Sequence, residues 1–483
     1  MGPEILNSGH SVASSASAAL SGENPVKIVL ISTYELGRQP FGLASPAAWL
    51  RQAGAQVSCQ DLSRQKLDSA AVRAADLVAF HVPMHTATRI AVNVIKKVRT
   101  VNPSAHFCAY GLYAPVNSEY LREIGVGTIL GGEFEAGLVA LAGRIANERR
   151  ESGDTGRESR PEISLARQQF LVPDRSDLPM LSGYAQLIQP DGTSRTVGYT
   201  EASRGCKHLC RHCPIVPVYQ GRFRIVQRDI VLADIRRQVA AGARHLTFGD
   251  PDFFNGIKHA TALLRAMHNE FPQLSYDVTI KIEHLLQYAG HLPLLRDTGC
   301  AFVTSAVESV DDAILRHFNK GHTREDFLEV VELFNRHGLV LSPTFVAFTP
   351  WITLEGYGDL LTAIDELDLV RNVAPIQYAI RLLIPAGSRL LELPEVRGIV
   401  GEFDRQSLSY RWRHADPRMD ILQADLQQMI AKLPSTNCNR QDVFDHVVER
   451  VQRTQADKLL PRAPVPPGRQ RATIPYLNEP WYC

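Results

Sequence analysis

Three cysteines fall within eight residues of this 483-residue chain: Cys206, Cys210 and Cys213, in the segment RGCKHLCRHCP (204–214). Soft thiolates are the ligands that iron–sulfur clusters need. Three of them leave one iron of a four-iron cube without a protein ligand, an open position for a substrate or cofactor. The C-x3-C-x2-C spacing follows a predicted strand, 196–203, so one loop at that strand's C-terminal end can gather all three sulfurs. Two other readings stand beside the cluster. One is zinc, with His208 or His212 as a fourth ligand; the other is three buried thiols without a ligand. Zinc sites usually join a C-x2-C pair to a second, distant pair, and no second pair is evident in the sequence.

A second set of polar residues lies in YDVTIKIEH (276–284). Side chains alternate along a strand, so Asp277, Thr279, Lys281 and Glu283 share one face, and Val278, Ile280 and Ile282 the other. The apolar set belongs under helices, which turns the polar set inward; Lys281 and Glu283 are read as catalytic. Gln377, Ala379 and Arg381 repeat the pattern on a predicted last strand. The competing readings are a solvated edge strand and a purely structural Lys–Glu pair.

These residues need a scaffold. Residues 1–25 are Ser-, Ala- and Gly-rich and read as a disordered lead. From Lys27 short apolar strands alternate with helices: strands at 27–32, 55–62, 75–83, 104–111 and 125–132, helices at 46–54 and 86–101. That alternation predicts a doubly wound parallel sheet over 26–147. A charged, Pro/Gly/Ser-containing stretch, 148–195, reads as a linker. A second series, with strands at 196–203, 244–249, 276–283, 301–308, 339–347 and 375–381, predicts a partial (β/α)6 barrel over 196–395. Residues 396–483 read as a helical extension with a Pro-rich, extended end.

Net charge is +1, with 52 Lys+Arg against 51 Asp+Glu, so no general nucleic-acid scaffold is expected. No stretch approaches the roughly 20 apolar residues that span a bilayer. Eight scattered cysteines in a chain this long are not a secreted disulfide framework, so a reducing cytoplasm is expected.

The cysteine segment resembles the signature of the radical S-adenosylmethionine (SAM) superfamily, over 196–390. In that family SAM chelates the open iron through its amino and carboxylate groups, and one-electron reduction cleaves the sulfonium. The resemblance implies that His212 lies near the adenine, where an aromatic residue is common. HLTFGDPDFFNG (245–256) stands where the family carries a GGE-like motif; Gly249 and Asp250 take its place as the implied SAM-amino contact. SAVESVDD (305–312) resembles a G-x-E-S element, which implies Glu308 and Ser309 for the SAM ribose or carboxylate, and FNKGHT (318–323) resembles the Asn-Lys-Gly element that follows it. Arg381 joins this cofactor-binding set.

The first domain resembles the cobalamin-binding-like domain that precedes some of these barrels. The Asp-x-His-x-x-Gly signature is absent, so the fold is expected, with bound cobalamin kept only as the lesser alternative. GGEFEAG (131–137) resembles the Gly-Glu turn of such domains.

More widely, the chain resembles the CUAEP/CCAEP-tail radical SAM family in GDPDFFNG (249–256), TIKIEHLL (279–286), FVTSAVES (302–309), SPTFVAFTPW (342–351), IRLLIPAGS (380–388) and NEPWYC (478–483). That resemblance implies continuation past Cys483 into selenocysteine or cysteine, then Ala-Glu-Pro, through a UGA codon: a selenoprotein. It also implies a catalytic thiol at Cys483 that donates a hydrogen atom, binds a soft element or resolves a radical. Cys59, Cys108 and Cys300 read as core thiols, and Cys438 as unassigned.

The expected function is reductive SAM cleavage on a [4Fe-4S] cluster and radical modification of a small molecule or peptide. An electron donor such as flavodoxin or ferredoxin is the implied partner. The competing functions are a cobalamin-dependent radical SAM methyltransferase and a non-catalytic zinc or iron–sulfur binding protein.

Overall fold

The computed structural model describes residues 24–151, 162–432, 439–455 and 474–478. The disordered lead (save its last two residues), Cys438 and Cys483 lie outside them. The chain divides into two units: residues up to Gly183 with Arg405–Leu408, and Tyr184–Asp404 with Ser409 onward.

Among the described residues the first unit holds six strands: β1 (Lys27–Ser32), β2 (Gln56–Asp61), β3 (Leu77–His81), β4 (His106–Tyr110), β5 (Thr128–Gly132) and β6 (Glu162–Ser164). They form one parallel sheet in the order β2-β1-β3-β4-β5-β6, so the expected doubly wound fold is present. β6 comes from the segment read as a linker. The inner strands β1, β3, β4 and β5 are largely apolar because both faces are covered. On one face Leu43 and Leu50 of α1 (Phe41–Gln52) and Leu138 of α3 (Glu135–Glu151) pack over Leu30, Leu77 and Leu130. On the other, Ile95 and Val98 of α2 (His85–Val101) pack over Val29, Val78 and Phe107. Each such buried Leu or Ile contributes about 2 kcal/mol.

α1 starts five residues earlier than the sequence predicts, with Pro46 inside it. Proline has no N–H for the carbonyl one turn back, that of Gly42. The Tyr110 hydroxyl donates to that carbonyl at 2.8 Å, so the buried acceptor is satisfied from β4.

The second unit carries β7 (Gln186–Ile188), β8 (Ser194–Thr200), β9 (Ser203–Gly205), β10 (Phe223–Ile225), β11 (His245–Phe248), β12 (Ser275–Thr279), β13 (Cys300–Glu308), β14 (Leu341–Phe345), β15 (Val400–Asp404), β16 (Ser409–Trp412) and β17 (Tyr476–Leu477). Its main sheet runs β14-β13-β12-β11-β8-β7-β17, and the five strands from β14 to β8 are parallel. β7 is antiparallel to β8, and β17 antiparallel to β7, so β17 runs the same way as β8. Helices α4 (Arg228–Ala240), α5 (Ile257–Glu270), α6 (Ile282–Gln287), α7 (Arg324–His337) and α8 (Leu354–Glu366) follow the strands, and α9 (Pro417–Ala431) and α10 (Arg440–Gln455) form the C-terminal extension. The bounds of α7 are set by a Thr323–Asp326 capping box and by Gly338 at φ +65°.

Two sequence expectations need correction. β12 stops at Thr279, and α6 starts at Ile282, so the alternating face ends before Lys281 and Glu283. Ile282 and Leu285 are both buried, three residues apart, and that spacing is helical. The last predicted strand, 375–381, is a 3-10 turn at Pro375–Tyr378 with a single bridge, Phe348–Arg381. Pro375 cannot donate to a ladder. The Gln377 side chain instead accepts the Phe345 N–H at 2.8 Å and closes the β14 edge. Gln377, Ala379 and Arg381 therefore do not line a strand face. The barrel is partial, with five paired strands and one bridge in the sixth place.

No helix among the described residues is long and apolar enough to cross a membrane.

Candidate cluster site at the strand ends

The cysteine loop leaves the sheet through β9, which pairs with β10. Asp250, just after β11, anchors that departure: Oδ1 accepts from the Ser203 hydroxyl at 2.5 Å and Oδ2 from the Ala202 N–H at 2.9 Å. Burial pushes its carboxyl up to about 7, against the pull of those two bonds. Gly205 turns the chain at φ +74°, where an added Cβ would lie 2.4 Å from Tyr219 and 2.5 Å from the Arg222 carbonyl.

The three thiols then gather. Cys206 and Cys210 are buried, Cys213 is half-buried, and all three are free. The Cys213 N–H donates to the Cys210 carbonyl at 3.2 Å. Arg211 ties the loop down: its N–H reaches the Phe318 carbonyl at 2.9 Å, and its guanidinium the Arg316 and His317 carbonyls at 3.1 Å. The Asn255 amide oxygen accepts the Lys207 N–H at 3.2 Å. Burial pushes the Cys206 thiol up, and the Cys213 thiol to about 12. Uncompensated, these sulfurs hold their protons; a bound metal removes them.

Glu308 ends β13 in the left-handed region, φ +68°, where the β13–β14 register shifts between Ala306 and Glu308. One carboxylate oxygen, Oε1, meets His212 Nε2 at 3.0 Å and Lys320 Nζ at 3.3 Å. Burial alone would raise its pKa; the Lys320 ammonium and His212 overturn that and hold it at about 2. The His212 ring lies 4.5 Å from that of Phe318. Ser309 is buried beside it, its hydroxyl accepting the Asp311 N–H at 3.1 Å.

Lys281 caps α6 and is also buried. Its Nζ lies 3.8 Å from Cys210 Sγ, 3.0 Å from the Lys320 carbonyl oxygen and 3.3 Å from Glu283 Oε2. Glu283 Oε2 is 3.3 Å from His208 Nδ1. His208 Nε2 and His284 Nδ1 both face Asp252 Oδ2, at 3.4 and 2.6 Å. Burial would raise the Asp252 carboxyl, but the two histidines bring it below its ordinary value.

Lys281, Glu283, His212 and Glu308 thus surround the loop that carries Cys206, Cys210 and Cys213. Asp250 lies beneath it with both oxygens engaged. Gly249 makes room for Tyr199, whose hydroxyl oxygen would be 1.8 Å from an added Cβ. The Arg381 guanidinium is 2.7 Å from Asp420, donates to the Trp412 carbonyl at 2.8 Å and stacks 3.5 Å from the Trp412 ring. Lys320, Asp252 and His284 were not singled out from sequence, because only the fold brings them to the loop. The Asn-Lys-Gly element that contains Lys320 was the one available signal.

The donor set fits a cluster with one open iron, since among the described residues no fourth cysteine joins the loop. The zinc reading has a geometric form here, because ligand atoms of Cys206, His208 and Asp252 lie within 4.8 Å of one another. His284 Nδ1 also lies 2.6 Å from Asp252 Oδ2.

In the first unit, β1 has β2 on one side and β3 on the other, the place where open parallel sheets bind ligands. The chain's own side chains fill it. His81 Nδ1 is 2.5 Å from Glu35 Oε1, and its ring lies 5.2 Å from Tyr110 and 5.9 Å from Phe134. An added Cβ at Gly42 would be 2.0 Å from the His81 ring. His81 is thus buried among Glu35, Tyr110 and Phe134. Cys59 and Cys108 are core thiols, Cys59 pushed up by burial to about 12.

Residues 200–359 match the family model of the radical SAM superfamily. A tRNA-2-methylthio-N(6)-dimethylallyladenosine synthase from Desulfosudis oleivorans is 25% identical over 56% of this chain and 59% of that protein. A ribosomal protein uS12 methylthiotransferase RimO from Syntrophotalea carbinolica is 23% identical over 41% of this chain and 45% of that protein. The chain thus spans less than two thirds of the length of these relatives. The cobalamin-dependent SAM radical enzyme OxsB superposes with a TM-score of 0.67 at 13% identity, over 89% of this chain and 72% of that one. The radical SAM methyltransferase TsrM from Kitasatospora setae does so with 0.60 at 19%, over 77% and 76%. At these identities the likeness is one of fold. Residues 200–359 thus carry a radical SAM superfamily domain, and superfamily members use a [4Fe-4S] cluster and SAM.

Proposed function

We propose that Cys206, Cys210 and Cys213 hold the cluster, and that the chain uses reductive SAM cleavage to modify a polar substrate. The observation that carries this is the set of three free thiols on one loop at the C-terminal ends of parallel strands, with Lys281 against Cys210 and the His212–Glu308–Lys320 group beside them. When bound, the cluster and SAM supply one electron and a carbon-centred radical. The protein's share is orientation and electrostatics. Glu308 fixes the His212 ring for the adenine, and Ser309 extends that wall.

The inner face of the barrel supports a polar substrate. Tyr199, Thr279, Thr304, Ser342 and Thr344 are half-buried, while their neighbours Thr200, Val278, Val303, Leu341 and Phe345 are buried. Asp277 shares this face; its Oδ1 meets His245 Nε2 at 2.9 Å and accepts from Thr247 at 2.6 Å. The substrate is a small molecule or peptide, with flavodoxin or ferredoxin as the electron source and a reducing cytoplasm as the setting. The relatives' names include a tRNA and a ribosomal protein, so a macromolecular substrate is the competing reading.

The CUAEP/CCAEP-tail resemblance adds a tail thiol. β17 runs with β8, and Leu477 is level with Arg195 through β7. A UGA codon after Cys483 with Ala-Glu-Pro in frame tests the selenoprotein form; UAA or UAG there removes it.

Anaerobic reconstitution tests the main reading. The wild type takes up iron and sulfide, the Cys206→Ala/Cys210→Ala/Cys213→Ala variant does not, and dithionite with SAM yields 5′-deoxyadenosine. No iron uptake by the wild type overturns it. Corrinoid absorbance in protein purified from cobalamin-fed cells would instead favour the cobalamin-dependent methyltransferase.

A further inference from the structure

Lys281 belongs to neither the cysteine motif nor the sheet, yet its ammonium is buried against a thiol of the cluster loop. Its three neighbours are Cys210 Sγ at 3.8 Å, the Lys320 carbonyl oxygen at 3.0 Å and Glu283 Oε2 at 3.3 Å. The carbonyl fixes the ammonium without neutralising it. Glu283 is the only carboxylate on it among the described residues, and that side chain is 41% exposed, so water screens its charge. Lys281 itself is 7% exposed. Glu283 Oε2 is further shared with His208, which draws part of its charge away from the lysine.

A cluster on three thiolates is anionic and gains one more negative charge on reduction. A fixed buried cation beside one sulfur favours the reduced form, and a carboxylate behind that cation favours the oxidised form. We propose that Lys281 and Glu283 form an opposed pair that sets the reduction potential of the cluster through Cys210, Lys281 raising it and Glu283 lowering it. Both act through the cysteine and are positioning residues. The proposal rests on the assignment of the cluster to this loop.

The test is an EPR-monitored redox titration of reconstituted full-length protein, with iron and sulfide measured for each variant. Lys281→Met is expected to shift the midpoint to lower potential, Glu283→Gln to higher potential, and Lys281→Arg to leave it close to wild type. A merely structural role for Lys281 would not move the midpoint in opposite directions at the two positions. If Lys281→Met is fully loaded and its midpoint is unchanged or higher, the proposal is wrong. If Lys281→Met fails to hold a cluster, Glu283→Gln decides: an upward shift supports the proposal, and no shift or a downward one overturns it. A wild type that takes up no iron overturns the cluster assignment itself, which separates the two failures.

Discussion

His212, the residue before the third cysteine, is bonded at 3.0 Å to Glu308, the left-handed last residue of β13. The contact joins residues 96 positions apart, and Lys320 completes it at 3.3 Å. Glu308→Gln leaves the Lys320 ammonium buried without its counter-ion, and breaking such a pair costs about 3–5 kcal/mol. Denaturant unfolding of the apo-protein at pH 7 should show this loss, together with weaker SAM binding by calorimetry on the reconstituted protein.

The same carboxylate gives an acid limb. Lys320 and His212 hold its folded pKa at about 2 against the opposing effect of burial, below an unfolded value of about 4.3. Its contribution is complete above the unfolded value and fades as pH falls toward 2. Apo-protein Tm should drop over that range, and the drop should be shallower in Glu308→Gln.

Asp250 acts in the opposite sense. Burial raises its folded pKa to about 7, well above the unfolded value of about 3.9. Its stabilising effect is whole below the unfolded value and declines as pH rises to 7, because the anion must then be buried. Asp250→Asn should flatten the loss of Tm between pH 4 and pH 8 seen in wild type.

Gly205→Ala should lower iron retention. The φ of +74° disfavours a side chain, and the new Cβ would press on Tyr219 and the Arg222 carbonyl immediately before Cys206. Iron per chain after reconstitution and desalting is the measurement; retention equal to wild type would show that the turn does not set the loop.

Arg381→Ala should cost about 1–3 kcal/mol, through the Asp420 and Trp412 contacts. SAM affinity should stay at the wild-type value. A parallel fall in affinity without loss of Tm would return Arg381 to the cofactor-binding set.

The cysteine loop was legible in the sequence because its ligands are close in the chain and need one residue type. The doubly wound sheet was legible because buried parallel strands are apolar throughout. Lys281 and Glu283 were reached by a strand alternation that stops at Thr279; both still border the loop, because the turn into α6 lies at the same end of the sheet. The loss of the strand predicted for 375–381 was not legible because Pro375 and Gln377 end the barrel early, a choice that depends on the distant Phe345 N–H. Asp252 and His284 carry no local signal: their meeting with His208 is purely tertiary.

The two-residue strand β17 has a consequence for handling the protein. β7 has β8 on one side and only β17 on the other, backed by the Asn478 N–H on the Gln186 carbonyl at 3.0 Å. A chain shortened before Tyr476 would present bare backbone donors and acceptors along β7, a template for pairing with another molecule. Shortened preparations are expected to self-associate in gel filtration.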